Sequence, residues 1–344
     1  MTDPPRRRRP RYRGTHPRRH EEKYKELDPE RYPEIVPVVR ARGQTPAGSH
    51  VPILVEEVLA ALDPRPGERG VDATLGWGGH AQRVLERLRP GGQLLGLDAD
   101  GEQLPRTEAR LRALGYGEAE LVTRRSSFAG LSAALAALGW EDGADFLLAD
   151  LGVSSMQLDD PARGFSLKHD GPLDMRLNQA HGVSAARWLA GATVARIEAA
   201  LTDYADEPQA ALLAQALHAR RDELQTTLAL AELVRRTLAG RAEPDEVERA
   251  VRRVFQALRI AVNDELGALD ALLRQLPGCL RSGGRVAFLT FHSGEDRRVK
   301  HAFREGARAG VYAEVSADVV RAGPAERRDN PRAKPAKLRW VRRA

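Results

Sequence analysis

The chain has 344 residues, of which 42% are hydrophobic, so it can form one large domain or two ordinary ones around a sizeable core. No run approaches the roughly 18 apolar residues of a membrane span, and the first residues lack the apolar stretch of a secretory signal. The single cysteine, Cys279, excludes an internal disulfide and a thiolate metal cluster, as in a reducing compartment. We therefore expect a cytoplasmic protein with no membrane association.

The formal net charge of +6 is concentrated at the two ends of the chain. Residues 1–20 contain eight arginines and one acid, and residues 321–344 contain nine basic and two acidic residues, so the part between them is acidic. Basic ends suit polyanions through phosphate neutralisation, although they can also serve only as solubilising tails. Residues 1–48 have no regular periodicity, and we predict a basic disordered arm for which both roles stay open.

Beyond this arm, short apolar strands alternate with amphipathic helices, which predicts an α/β fold with a mainly parallel sheet covered on both faces. The predicted strands are 70–76, 93–100, 119–123, 144–150 and 283–293, with edge strands at 311–316 and 337–343. The predicted helices of this part are 53–62, 80–88, 102–114, 130–138 and 295–309.

The alternation stops after Asp150. Residues 151–176 form a long, turn-rich segment, and loops of this length are usually functional. Several helical stretches follow without a convincing strand, the last of them a long one over 246–276. We therefore predict an all-helical insertion, 157–255, between two parts of one sheet-containing domain, 49–156 and 256–344.

Polar residues stand at three predicted strand ends, where ligands of open parallel sheets bind. After the first strand, Gly78 and Gly79 allow close approach of the backbone, and the helix that begins near His80 offers N–H groups to an anion. Asp98 follows the second strand, 20 residues after Gly78, where a carboxylate can accept hydrogen bonds from ribose hydroxyls. Asp150 ends the fourth strand.

Two ligands fit this skeleton. A dinucleotide is one, although the third glycine of its pattern is replaced by Ala81, which is a permitted variant. S-adenosylmethionine is the other, since it also needs a carboxylate site, a ribose acceptor and an adenine slot. Spacing alone does not separate them.

The motifs HVPILVEEVL, DATLGWGGHA, LGLDAD, LLADLGVSSMQLDDPARGFS, DGPLDMR, FQALRIAVNDEL, GGRVAFLTFHSGEDRRVK and NPRAKPAKLR occur in this order. Together they resemble the bacterial small-subunit ribosomal RNA (cytosine-N4) methyltransferases of the RsmH (MraW) family, over residues 50–339. The resemblance implies a class I (Rossmann-like) methyltransferase with a helical insertion. It also implies S-adenosyl-L-methionine as cofactor and N4-methylation of a specific cytidine of 16S ribosomal RNA near the decoding centre. The small ribosomal subunit is the implied partner, and a homodimer is left open.

The resemblance also assigns roles to residues. The glycine turn would hold the methionine part of the cofactor, Asp98 its ribose and Phe128 the region of its adenine. The complete implied cofactor set is Gly78, Gly79, His80, Asp98, Phe128, Asp150 and Gln157. We interpret Asp150 as the acceptor of the proton that leaves the cytosine amine, and we expect the target cytidine to be unpaired or flipped.

Candidate RNA contacts are basic residues of the loop, the long helix and the C-terminal segment, together with a histidine at the end of the fifth strand. They are Arg163, Arg176, Arg252, Arg253, Arg259, His292, Lys334, Lys337 and Arg339. Solvated or salt-bridged positions are the alternative for the arginines. We interpret the polar residues near His292 as structural hydrogen-bonding groups or RNA contacts rather than as a metal site, and we expect no metal.

The chain departs from the family pattern where Trp77, Val254 and Gly294 replace a basic residue, a threonine and a leucine, where Pro335 and Ala336 replace a serine pair, and in the segment 203–207, which replaces TYGEE. None of them removes an implied cofactor ligand, so the departures concern the RNA-facing details. The alternatives are an amino-methyltransferase acting on another nucleic acid or on protein, a non-catalytic ribosome assembly factor and a nicotinamide oxidoreductase.

Overall fold

The computed structural model describes residues 52–167 and 169–344. One seven-stranded sheet has the order β3-β2-β1-β4-β5-β7-β6. Its strands are β1 Arg69–Asp72, β2 Gln93–Asp98, β3 Leu121–Arg125, β4 Ala144–Asp150, β5 Leu280–Thr290, β6 Tyr312–Val315 and β7 Lys337–Arg343. The five strands from β3 to β5 pair in parallel, and β7 runs antiparallel to both of its neighbours. The predicted α/β fold with a mainly parallel sheet is confirmed.

Helices connect the strands and cover both faces of the sheet. Those of the sheet-containing part are α1 Val55–Leu62, α2 Gly79–Leu88, α3 Gln103–Ala113, α4 Leu131–Ala136, α11 Glu265–Gln275, α12 Ser293–Arg308 and α13 Pro324–Asp329. Between β4 and α11 lie α5 Ser155–Asp159, α6 Ala185–Gly191, α7 Val194–Ala205, α8 Ala210–Ala219, α9 Thr227–Leu238 and α10 Pro244–Asn263. In the described part of the chain, no helix has the length and apolar character needed to cross a lipid bilayer.

The central strands are apolar because helices bury them from both sides. In β4, Phe146 packs on the face covered by α1 and α2, whereas Leu147 packs on the opposite face with residues of α11 and α12. Both side chains are at most 1% exposed. Complete burial of one such side chain stabilises the fold by about 1.5–3 kcal/mol, so this run of residues fixes β4 at the centre of the sheet.

The helices between β4 and α11 have a hydrophobic core of their own. Leu189, Leu201, Leu213 and Leu230 belong to it, and all are at most 1% exposed. The helix α10 enters both cores, because Val254 and Leu258 lie in the helical core and Ile260 lies in the sheet core. This helix therefore runs through residue 255, and the domain limits 157–255 stay a prediction.

Several predicted boundaries are wrong, among them those of the fifth strand, which spans Leu280–Thr290 and not 283–293. The long helical stretch over 246–276 is interrupted at Asp264, whose φ of 48° is left-handed and ends α10 before α11 begins. The strand predicted to reach Gly76 ends at Asp72, because the next residues turn and the Asp72 carboxylate accepts a hydrogen bond from the Thr74 N–H at 3.1 Å.

The contact between β1 and β4 gives a testable prediction. A Cβ on the buried Gly70 would lie 2.0 Å from Cζ of Phe146, so Gly70→Ala forces the buried Phe146 ring out of its position beside β1. We expect a loss of about 1–3 kcal/mol in the free energy of unfolding, measured by urea denaturation. The control is Gly117→Ala at an exposed position with open space around it, which should change stability little. Equal stability of the two variants would contradict this packing.

Candidate active site

The carboxyl ends of β1, β2 and β4 bring a group of acidic side chains to one edge of the sheet. Asp98 at the end of β2 is held by two backbone donors, since Gly76 N–H donates to Oδ2 at 2.7 Å and Asp100 N–H donates to Oδ1 at 2.8 Å. These bonds fix the carboxylate beside the glycine turn after β1. The sequence prediction that this turn and Asp98 lie together matches the geometry.

The glycine turn after β1 leads directly into the first turn of α2. Gly78 has a φ of 75°, and a Cβ there would lie 3.0 Å from Thr107 and 3.1 Å from Arg110, so both conformation and space require glycine. Arg110 donates to the carbonyl oxygens of Trp77 and Gly78 at 2.8 and 3.0 Å, which fixes the turn. No side chain within the described residues caps α2, so its first N–H groups can bind a ligand carboxylate.

His80 lies on the first turn of α2 and is only 7% exposed. Its Nε2 lies 3.0 Å from the carbonyl oxygen of Ile53, which can only accept, so Nε2 donates the hydrogen. Its Nδ1 lies 3.6 Å from Oδ2 of Asp150. Burial lowers the pKa of His80 while Asp72 opposes the shift, so the ring is neutral near pH 7 and Nδ1 carries a lone pair.

Burial also favours the protonated form of the surrounding carboxyl groups. It raises the pKa of Asp72 to about 7 and that of Asp98 to about 6. Burial likewise raises the pKa of Asp150 to about 7, with a further contribution from the charge of Glu295. Oδ1 of Asp150 is buried and has no hydrogen-bond partner among the described residues, although the side chain as a whole is 32% exposed. An acceptor of this kind is suited to a bound ligand or to a proton.

Asp72 was missed by the sequence analysis. It is 3% exposed at the end of β1, and its charge acts on both His80 and Asp150. The available signal was a carboxylate that directly follows the apolar residues of a buried strand.

Asp100 was missed as well, and it anchors the loop after β4. Its Oδ2 accepts from Nε2 of Gln157 at 2.8 Å and from Nη1 of Arg163 at 2.7 Å, while its Oδ1 accepts from two backbone N–H groups. Burial raises the pKa of Asp100, but the bonds from Gln157, Gln103 N–H and Arg163 outweigh it and hold the pKa below the usual value. The carboxylate is therefore ionised and tied to the loop.

The two remaining cofactor candidates are Phe128 and Gln157. Phe128 follows β3 in a short turn, Phe128–Gly130, and packs half-buried against the sheet core. Gln157 lies in α5, and both ends of its side-chain amide are bonded within the protein: Oε1 accepts from the Ser154 N–H, and Nε2 donates to Asp100. Contact of either residue with a cofactor stays a prediction.

Most of the candidate RNA contacts have partners within the chain. Carboxylates bind Arg163 and Arg176 in the loop, Arg253 and Arg259 on α10, and Lys337 and Arg339 on β7. Arg252 and Lys334 are exposed. The paired cations stabilise the protein in this structure, so Arg252 and Lys334 are the two best placed for phosphate, and the RNA role of all of them stays a prediction.

His292 lies at the start of α12, beside the end of β4. Its Nε2 is 3.2 Å from Oε1 of Glu295, whose other oxygen accepts from the Phe291 N–H at 2.7 Å. A Cβ on Gly294 would lie 3.2 Å from Nδ1 of the His292 ring, so the glycine keeps space beside the ring. No group of three metal-ligating side chains occurs within 52–167 and 169–344.

The other departures from the family pattern have different surroundings. The ring of Trp77 lies 5.8 Å from the Arg110 guanidinium, and its Nε1 is buried without an acceptor among the residues described. Val254 is buried in the helical core, where a threonine hydroxyl would need a partner, and Pro335 is exposed.

The anchoring of the loop by Asp100 can be tested. Asp100→Asn leaves the 7% exposed Arg163 without its counter-charge, so we expect a loss of about 3 kcal/mol in unfolding free energy and faster proteolysis within residues 151–177. The control is Asp142→Asn, which breaks the exposed pair with Arg281 and should change neither quantity much. Unchanged proteolysis in Asp100→Asn would show that other contacts hold the loop.

This chain is similar in sequence to a known family of methylases. Residues 47–344 match the model of the MraW methylase family. The chain is 44% identical over 348 residues to ribosomal RNA small subunit methyltransferase H 1 of Lachnoclostridium phytofermentans, with 99% of this chain and 94% of that protein covered. It is also 44% identical over 346 residues to ribosomal RNA small subunit methyltransferase H 2 of Alkaliphilus metalliredigens, with 98% of each chain covered. The resemblance inferred from the motifs is confirmed, and the chain belongs to the MraW methylase family.

Proposed function

We propose that this protein transfers a methyl group from S-adenosylmethionine to N4 of a cytidine in 16S ribosomal RNA, in the cytoplasm and on the small ribosomal subunit or its precursor. The observation that carries the proposal is the grouping of an uncapped glycine turn, the Asp98 carboxylate and the Asp150 carboxylate at one edge of the sheet. Family membership and the names of the relatives support the substrate class.

The chemistry of S-adenosylmethionine fits the residues at this edge. The N–H groups of the first turn of α2 would bind its carboxylate, and the remaining lone pairs of Asp98 would accept from the ribose hydroxyls. Phe128 would flank the adenine. The sulfonium charge suits a site rich in carboxylates, and the Asp150 side chain is 32% exposed and therefore open to a ligand. When bound, the cofactor supplies an electrophilic methyl group.

The protein must make the cytosine amine reactive by position and charge. The N4 lone pair is delocalised into the ring, so the amine is a weak nucleophile and has to be held in line with the methyl group. Asp150 is the side chain that accepts a hydrogen bond from the amine and takes one of its protons as nitrogen becomes positive. Because the pKa of Asp150 is raised to about 7, it is a strong enough base to hold that proton at neutral pH.

The RNA has to present an unpaired or flipped base, since the amine must reach the end of β4. The loop 151–177, fastened by Asp100, lies beside this end and would enclose the base. Arg252 and Lys334 are the exposed cations that we assign to phosphates. A position near the decoding centre is the most specific part of the proposal.

The cofactor site has a direct test. Asp98→Ala removes the acceptor of the ribose hydroxyls, so we expect at least about a tenfold rise in the Kd for S-adenosylmethionine by calorimetry, as loss of a hydrogen bond to a charged group implies. Glu102→Ala removes an exposed carboxylate four residues later and should leave the Kd unchanged. Equal affinity in both variants would place the ribose elsewhere.

The reaction is tested with tritiated S-adenosylmethionine and small ribosomal subunits that lack the modification. We expect label in N4-methylated cytidine after digestion to nucleosides. Label in another nucleoside or in protein would favour a different amino-methyltransferase, and a protein that binds the cofactor but labels no subunit or precursor would favour an assembly factor. Binding of NADH, detected by its fluorescence, would revive the oxidoreductase alternative.

A further inference from the structure

The side chain of His80 stands between Asp150 and the backbone carbonyl of Ile53. Its Nε2–H donates to that carbonyl at 3.0 Å, so the ring is fixed by a bond that leaves the other nitrogen unprotonated. That nitrogen, Nδ1, is 3.6 Å from Oδ2 of Asp150. The imidazole therefore presents a basic nitrogen to the carboxylate at the reaction site.

The two oxygens of Asp150 have different surroundings. Oδ1 is enclosed by protein, so the 32% exposure of the side chain lies toward Oδ2, the oxygen that also faces His80. The Asp150 backbone N–H donates to Oγ1 of Thr74 at 2.6 Å, which fixes the residue at the end of β4. The oxygen of Asp150 that is open to solvent is thus also the one that lies 3.6 Å from Nδ1 of His80.

We propose that His80 is the positioning residue of Asp150 and the second acceptor of the proton released by methyl transfer. The inference rests on the proposed function. As the N–C bond forms, the methyl–sulfur bond of the donor breaks and its electron pair stays on sulfur. One N–H bond of the amine breaks, its electron pair returns to N4 and an O–H bond forms at Asp150. The O–H bond then breaks as an N–H bond forms at Nδ1 of His80, and the proton later returns to Oδ2 of Asp150 and leaves from that exposed side to water.

Charged groups on adjoining elements act on His80 and on Asp150. Asp72 from β1 and Glu326 from α13 act on His80, Asp150 itself lies on β4, and Glu295 from α12 acts on Asp150. Burial opposes the positive charge, which keeps His80 neutral in the resting state and able to accept a proton. The balance of these effects suits a group that gains and then loses a proton.

The first test is a spectroscopic one on the cofactor-free protein. We expect the Nδ1 resonance of His80 in ¹⁵N NMR to behave as an unprotonated nitrogen at neutral pH and to move with a midpoint near pH 7, the pKa of Asp150. Asp150→Asn should abolish this step, whereas Asp72→Asn should shift its midpoint and keep it. An identical titration in wild type and Asp150→Asn, or a proton on Nδ1 rather than on Nε2, overturns the proposal whatever the substrate is.

The second test is single-turnover methylation at saturating cofactor between pH 5.5 and 9. His80→Gln retains a donor for the Ile53 carbonyl but has no basic nitrogen, so we expect the rate at pH 7 to fall at least about tenfold and to recover toward high pH. The Kd for S-adenosylmethionine is measured for each variant and the cofactor is kept saturating, so a weakened cofactor contact does not lower the measured rate. His301→Gln, at an exposed position of α12, is the matched control. An unchanged pH profile in His80→Gln overturns the proposal.

Discussion

The buried ion pair of Asp100 with Arg163 joins the sheet to the segment that follows β4, and the shape of the candidate site depends on it. Both side chains are at most 7% exposed, so a carboxylate and a guanidinium have been removed from water at a considerable cost in solvation. The loss is offset because Asp100 accepts from four donors, and because Nη2 of Arg163 also donates to the carbonyl oxygens of residues 176 and 177. A long loop is thereby held in one place beside the strand ends.

Several buried carboxyl groups lie at the same edge of the sheet, and their crowding does not stabilise the fold. Asp72, Asp98 and Asp150 stand at the ends of three neighbouring strands, and burial penalises the ionised form of each. Such crowding is retained where a site needs carboxyl groups poised between two protonation states. By contrast, Glu295 keeps a pKa below its usual value, since His292 and the Phe291 N–H outweigh its burial. Glu295 is therefore ionised, and its negative charge acts on Asp150.

Local patterns in the sequence predicted the sheet well and the loop contacts poorly. The apolar run of β4 and the last strand, β7, have the predicted bounds, because burial on both faces and alternation are local properties. The pair of Asp100 with Arg163 joins residues 63 positions apart, and nothing near either residue indicates the other. The break at Asp264 depends on one left-handed residue inside a continuous helical pattern. For the candidate site, the sequence predicted the acidic residues at the strand ends. It did not predict the residues whose charges and hydrogen bonds shift their pKa values.

The helix α12 lies between the candidate site and the helices that follow β4, and it contacts both. The first turn of α12 places Glu295 where its charge reaches Asp150, and the exposed side of this turn holds Asp206, which ends α7 of the insertion. Asp206 accepts from Oγ of Ser293 at 2.6 Å and from the Arg297 guanidinium at 3.0 Å. Because both sets of contacts begin within five residues of one helix, a displacement of α7 would act on the helix that carries Glu295. Through the charge of Glu295, such a displacement can reach Asp150.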